Sequence, residues 1–178
     1  MRTEHDSMGE MPVPDSALYG ASTQRAVLNF PISGLTLPGA FIRGLAQVKS
    51  ACAAANTRLK RLDPDKGRLI QRIAQEIVSG GLQTQFPIDV FQTGSGTSTN
   101  MNLNEVIANR ASQLAGRLLG SRNPLHPNDD VNLGSRPTTS CRQRCTSAWH
   151  WLSDSSSTRR SATCEPNWRT DPSPSDRW

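Results

Sequence analysis

A polar loop at residues 92–100 is the segment of this chain best suited to bind an anion. It reads Gln92-Thr93-Gly94-Ser95-Gly96-Thr97-Ser98-Thr99-Asn100 and precedes a stretch with helical periodicity. Two glycines let the backbone turn tightly and approach a ligand. The following hydroxyls and amide point to a helix N-terminus, where N–H groups favour negative charge. In the alternative interpretation, these side chains only cap the helix. The segment is not a P-loop, because no Gly-Lys-Ser/Thr follows.

A second polar cluster, His126-Pro127-Asn128-Asp129-Asp130, combines an imidazole with two carboxylates. Pro, Asn and Asp all favour turns, so these residues alone indicate a turn. One His beside carboxylates offers too few ligands for a metal ion. The sequence therefore predicts no metal and no other cofactor.

A long amphipathic helix is predicted from Pro38 to about Leu62. Its apolar residues recur at spacings of 4 and 3, which places on one face Phe41, Leu45, Val48, Cys52, Ala55 and Leu59. Cys52 is therefore expected to be a buried structural thiol. Residues 1–37 contain prolines and glycines without a helical period, so they are predicted to form loops and short turns.

Two further helices follow. One has Asp63 as its N-cap and Pro64 in its first turn, ends at Gly80-Gly81, and buries Leu69, Ile70, Ile73 and Ile77. The other is predicted from about Asn102 to Leu119, and its apolar positions are Leu103, Val106, Ile107, Ala111, Leu114 and Leu118. Together the three helices predict a mainly α domain with irregular loops.

The composition of the chain changes after Gly134. The last 44 residues contain 10 Ser, 7 Arg, 6 Thr and all four Trp, but no Ile, Val, Met, Phe, Tyr, Gly or Lys. A segment of this composition cannot build an ordinary hydrophobic core. We therefore predict a folded domain at residues 1–134 and a disordered tail at residues 135–178.

Charge and hydropathy exclude several classes of function. Of the net charge of +5, +3 belongs to residues 135–178, so the basic balance does not indicate nucleic-acid binding. No apolar run approaches the roughly 18 residues of a membrane span, and the N-terminus is too polar for a signal peptide. The tail contains possible zinc ligands in no familiar spacing, namely Cys141, Cys145, His150 and Cys164. We expect a cytoplasmic protein without nucleic-acid or membrane partners.

The two polar segments also carry a resemblance to a known family. Over residues 2–134 the sequence resembles class II fumarases of the fumarase/aspartase superfamily. The resemblance begins at RTEHDSMGE, continues through LYGASTQRAVLNFPISG, is strongest at FQTGSGTSTNMNLNEVIANRA and closes at HPNDDVN. Within the superfamily, EHDSMGE and GSGTS look like fumarase, whereas aspartases tend to have GAGTS in the loop.

This resemblance implies an activity and a set of site residues. The family forms homotetramers around a central bundle of long helices, and its active sites are built from three subunits. It hydrates fumarate reversibly to L-malate in the tricarboxylic acid cycle, without a metal. A base removes the C3 proton, the carbanion is stabilised as an aci-carboxylate, and hydroxide leaves with acid assistance. By position, the residues implied to bind substrate are Ser95, Gly96, Thr97 and Asn100.

The resemblance also implies a second dicarboxylate site near the active-site entrance. Its residues by position are His126, Pro127, Asn128 and Asp129. The family often has an Arg three residues before the His. Here that position is Asn123, and Arg122 lies one step earlier. This departure weakens the affinity for anions that we expect of the second site.

The resemblance ends after Gly134. The family continues with Gln-Ser-Ser-Asn-Asp and then a Pro-Thr-Ala stretch that starts the long bundle helices. This chain reads Ser135-Arg136-Pro137-Thr138-Thr139 instead. Codons can be chosen for Ser135 and the residues after it such that one C added in front shifts the reading frame. The shifted frame then encodes Gln-Ser-Ser-Asn-Asp-Val-Val-Pro-Thr-Ala. We therefore hypothesise that one base was lost near codon 135 and that the tail is out of frame.

The shifted frame has consequences for activity. The Ser-Ser-Asn substrate contacts of the family, its Thr-His pair for proton transfer and its catalytic serine loop have no counterpart in this sequence. We predict that no catalytic residue is retained, that the chain is inactive, that it lacks the central helix bundle and that it does not form the family's homotetramer. Two hypotheses about the protein remain open: an inactive product of a fumarase gene, or a non-catalytic module that binds dicarboxylates or another partner. A sequencing error in the gene of a normal full-length fumarase is a third possibility. Binding of malate or citrate would favour the module, and absence of binding the inactive product.

Overall fold

The computed structural model describes residues 1–134, which form a mainly helical fold. The predicted mainly α class is confirmed, whereas the predictions made for residues 135–178 lie outside the described residues. In chain order the elements are β1 Arg2–Asp6, β2 Gly9–Val13, α1 Ala21–Asn29, α2 Gly39–Arg58, α3 Pro64–Val78, a 3₁₀ turn Gln83–Gln85, α4 Thr97–Leu114 and a π-helical turn Pro127–Val131.

The N-terminal residues are more regular than the sequence indicated, and the prediction of loops and turns for residues 1–37 is wrong. Strands β1 and β2 pair antiparallel, with Arg2 opposite Val13 and Asp6 opposite Gly9. Helix α1 follows, although its N-cap Gly20 has no side chain with which to cap it. The start of α1 is capped by Glu105, more than 80 residues away, so the local sequence carried little signal for this helix.

Helix α2 forms where the sequence predicts it, but its buried face is a different one. The buried residues are Ile42, Ala46, Lys49, Ala53 and Asn56. The predicted stripe lies one position away and is half-buried to exposed, with Leu59 63% exposed and Cys52 only half-buried. The prediction of a buried stripe with a buried thiol is therefore wrong. The polar members of the true face, Lys49 and Asn56, bind residues 132–133 and so enter the interior.

Helix α3 agrees with its prediction except at Leu69, which was predicted to be buried and is only half-buried. The Asp63 carboxylate accepts hydrogen bonds from the N–H groups of Asp65 at 2.8 Å and Lys66 at 3.3 Å, and Pro64 is the first helical residue. The helix ends at Val78, just before Gly80, which has a positive φ of 97°. Its buried apolar residues are Ile70, Ile73, Ala74 and Ile77. This face packs against α2 and α4 in the main hydrophobic core.

Helix α4 is displaced from its predicted position. It begins at Thr97 and ends at Leu114, whereas the apolar period predicted residues 102–119. Its first turn is polar and therefore lies outside the apolar pattern, and Leu118 beyond its end is 84% exposed. The buried apolar residues of α4 include Leu103, Val106, Ile107 and Ala111, as predicted. The earlier start brings the polar loop and the helix N-terminus directly together.

Candidate functional site

The polar loop ends at the N-terminus of α4. Gly96 is the N-cap and has a φ of +68°, a conformation that favours glycine. A backbone bond from the Gly96 N–H to the Thr93 carbonyl, at 2.9 Å, closes the turn before the helix. The side chain of Gln92 reaches the first turn, where its Oε1 accepts the Thr99 N–H at 2.8 Å. Gln92 therefore replaces the side-chain cap that Gly96 cannot provide.

Two predicted substrate residues stand on either side of Gly96. The Ser95 and Thr97 hydroxyls are exposed and lie 2.7 Å apart. The N–H groups of Thr97 and Ser98 belong to the first helical turn and have no acceptor within the helix. Hydroxyl and backbone donors thus converge at the positive end of an 18-residue helix. This geometry suits a carboxylate group.

Asn100, the fourth predicted substrate residue, lies below this surface. It is only 5% exposed, and its Nδ2 donates to Asn132 Oδ1 at 3.1 Å. The structure therefore makes Asn100 a buried support beside the exposed donors of Ser95 and Thr97. Asn132, absent from the predicted site residues, lies within the HPNDDVN motif.

The second polar cluster borders a cleft of about 560 Å³. His126, Pro127 and Asn128 line this cleft, as does Arg122. Asp129 does not line the cleft. Its N–H donates to His126 Nδ1 at 3.2 Å, and its Oδ2 lies 3.0 Å from the same nitrogen. The cleft is therefore lined by three of the four predicted residues and by Arg122, which lies one position before the place of the family's Arg.

The other walls of the cleft come from the hairpin, α1 and α4, and they contribute the carboxylates of Glu4, Asp6 and Glu105. Each of these carboxylates already has partners. Glu4 pairs with Arg2 at 2.7 Å and Asp6 with Arg25 at 2.8 Å, and this pairing lowers the pKa of Asp6.

Glu105 is held differently. Its carboxylate accepts the N–H groups of Gly20 at 2.9 Å, Ser22 at 3.0 Å and Thr23 at 3.1 Å at the start of α1. Burial raises the pKa of Glu105, against the opposing effect of these hydrogen bonds. No local pattern singles out Glu105, because its partners are more than 80 residues away in the chain.

The two predicted sites do not merge within the described part of the chain. Among residues 1–134, the lining of the cleft does not include Ser95, Gly96, Thr97 or Asn100. Nor does this part of the chain bring three His, Cys, Asp or Glu residues together as metal ligands. The helices between residues 21 and 114 are all too short or too polar to cross a bilayer.

A buried carboxylate anchors the chain just before the polar loop. Asp89 is 6% exposed and accepts the N–H groups of Phe91 at 2.8 Å, Ser33 at 2.7 Å and Gly34 at 2.8 Å. These hydrogen bonds, led by that of Phe91, lower the pKa of Asp89 from 3.8 to about 2. The anchor therefore needs a charged carboxylate.

This anchor predicts a dependence of stability on acid. A depressed carboxylate pKa stabilises the folded state above about pH 4, and this contribution is lost as the pH falls towards 2. Urea unfolding at a series of pH values should show a steeper loss for the wild type than for Asp89→Asn. Asp15→Asn, which changes an exposed carboxylate, should keep the wild-type profile. Equal profiles for wild type and Asp89→Asn would contradict the anchor.

Comparison with known proteins identifies the family. Residues 9–141 match the sequence model of a family described as lyase. Fumarate hydratase class II of Halobacterium salinarum is 55% identical over 133 residues, which cover 75% of this chain and 28% of that protein. Fumarate hydratase class II of Neisseria meningitidis is 53% identical over 131 residues, which cover 74% of this chain and 28% of that protein. The chain thus spans about 28% of the length of these curated relatives.

Solved structures agree with this match. The crystal structure of a fumarate lyase:delta crystallin from Brucella melitensis superposes with a TM-score of 0.80 at 44% identity, covering 86% of this chain and 35% of that one. A class II fumarase from Schistosoma mansoni gives a TM-score of 0.73 at 39% identity, covering 76% and 29%. Residues 1–134 thus have the fold of part of a fumarate lyase. The chain belongs to the lyase family, in its class II fumarase branch.

Proposed function

We propose that this chain binds a C4 dicarboxylate, fumarate or L-malate, at the N-terminus of α4 without hydrating or dehydrating it. The observation that carries the proposal is the convergence of the Ser95 and Thr97 hydroxyls, 2.7 Å apart, on the first turn of α4. The named relatives, about half identical over the same residues, are fumarate hydratases. The chain's own residues bind and orient a carboxylate: the hydroxyls donate to its oxygens, and the helix N-terminus stabilises its charge.

The proposed lack of turnover is supported by the chemistry that hydration needs. The reaction requires a base for the C3 proton and an acid for the departing hydroxide. The family motifs expected to carry these groups would lie after Gly134, where Arg136, Pro137 and Thr138 replace the Ser-Ser-Asn contacts. Binding groups alone leave no chemical step. We assign the binding role to residues 1–134 and none to residues 135–178, and we place the protein in the cytoplasm without homotetramer formation.

Calorimetric titration of the full chain with L-malate tests this function. Ser95→Ala and Thr97→Val should each weaken binding about tenfold, since each removes a hydrogen bond to a charged group. Ser50→Ala, on α2 and outside the polar loop, is the matched control and should bind as the wild type does. If the wild type binds neither L-malate nor fumarate, the proposal fails and the chain is an inactive fumarase product.

The cleft beside His126 is proposed as a second dicarboxylate site. It is supported by the position of Arg122, which lines the same cleft as His126, Pro127 and Asn128 although its place in the sequence departs from the family pattern. Titration with citrate in the wild type and in Arg122→Gln separates this site from the first, because Arg122 lines the cleft and the polar loop does not. Citrate binding that Arg122→Gln leaves unchanged would remove the cleft from the assignment.

A further inference from the structure

A lysine on α2 is buried behind the polar loop. Lys49 is 1% exposed, and its Nζ donates to Asn132 Oδ1 at 3.2 Å. The same oxygen accepts Asn100 Nδ2 at 3.1 Å, so one carbonyl oxygen joins α2 to the first turn of α4. All three side chains are more than nine-tenths buried. The ammonium group is thus two hydrogen bonds from the amide of a predicted substrate residue.

We propose that Lys49 is a positioning residue for dicarboxylate binding, acting through Asn132 on Asn100. This inference rests on the proposed function at the N-terminus of α4. Asn132 can accept from both donors only while its carbonyl oxygen lies between them, and the charged donor strengthens that bond. The shared oxygen therefore fixes the amide of Asn132, and with it the orientation of the Asn100 side chain.

Burial of a lysine side chain costs free energy, which hydrogen bonds such as that to Asn132 offset. Taking an ammonium group out of water is unfavourable, and an apolar side chain of the same length would fill the space at lower cost. The positive charge lies on the side of α4 that carries Asn100. The connection through Asn132 to Asn100 is what this costly burial maintains beside the first turn of α4.

Four variants of the full chain test this role by L-malate titration. Lys49→Met removes the charge but keeps the length, and Asn132→Ala removes the link. Each should weaken malate binding about tenfold, and the double variant should be no weaker than either alone, because both changes break the same connection. Asn56→Ala is the control: it deletes another side-chain hydrogen bond of α2, from Asn56 Nδ2 to the Leu133 carbonyl at 2.9 Å, whose acceptor belongs neither to Asn132 nor to Asn100. It should bind malate as the wild type does.

The side-chain amide of Asn100 provides a readout that needs no ligand. Its ¹⁵N–¹H signals should move in Lys49→Met and Asn132→Ala and stay unchanged in Asn56→Ala. If the wild type and Lys49→Met bind malate equally well, the role of Lys49 is overturned and the proposed function stays intact. A wild type that binds no malate overturns the proposed function, and the Asn100 signals then decide alone whether Lys49 positions that side chain. Equal losses in Asn56→Ala and Lys49→Met would reduce Lys49 to a structural role and contradict the inference.

Discussion

If the tail is out of frame, insertion of one base ahead of codon 135 is expected to raise fumarate hydration from none to that of an active hydratase. On the frameshift hypothesis, the added base restores Gln-Ser-Ser-Asn-Asp directly after Gly134, followed by the bundle sequence that carries the family's acid and base. The gain should be at least about 10⁶-fold over the present chain, the lower end of enzymic accelerations. Loss of fumarate absorbance in the ultraviolet, followed at equal protein concentration, measures it.

A matched control separates the reading frame from the insertion itself. Three bases inserted at the same place add one residue and keep the present tail, and this variant should stay inactive. Sequencing of codons 125–150 of the gene comes first, because recovery of one extra base would mean that the organism has an ordinary fumarase. Measurable hydration by the 178-residue chain would contradict the prediction, as would a nucleotide sequence that encodes no Gln-Ser-Ser-Asn-Asp motif in the other frame.

The sequence predicted that α2 is a helix but not which of its faces is buried. Apolar spacing favoured the stripe through Leu45 and Val48, whereas the buried face of α2 includes the polar Lys49 and Asn56. In the structure, residues 132–133 supply hydrogen-bond acceptors that make burial of these two side chains possible. Such acceptors lie more than 75 residues away in the chain, so no periodicity within α2 could reveal them.

The polar loop was easier to predict than the cleft. Ser95 and Thr97 lie at a helix N-terminus because glycine, hydroxyl residues and a helical period follow one another within a single segment. Helix α4 was nevertheless predicted too far along the chain at both ends, because its first turn is polar and is capped by Gln92. The cleft brings Glu4 and Arg122 together across more than 100 residues, and this proximity depends on tertiary packing rather than on local pattern.

Replacement of Glu105 by alanine should be among the most destabilising single changes in residues 1–134. Helix α1 has no side-chain cap of its own, and the Glu105 carboxylate supplies one from α4. Glu105→Ala leaves the N–H groups of Gly20, Ser22 and Thr23 without their acceptor in a buried place. We expect a loss of about 3 to 5 kcal/mol in the free energy of unfolding, measured by urea denaturation. Hydrogen exchange of these three amides should accelerate at the same time.

A second glutamate on the same core provides the control. Glu76 on α3 pairs with Arg110 on α4 at 2.9 Å, but both side chains are about a quarter to a third exposed. Glu76→Ala should therefore cost about 1 kcal/mol or less, as partly exposed ion pairs do. Glu105→Gln keeps one acceptor oxygen and should fall between the two. If Glu105→Ala cost no more than Glu76→Ala, or left the amides of Gly20 and Thr23 protected, α1 would have to be held by its apolar contacts alone.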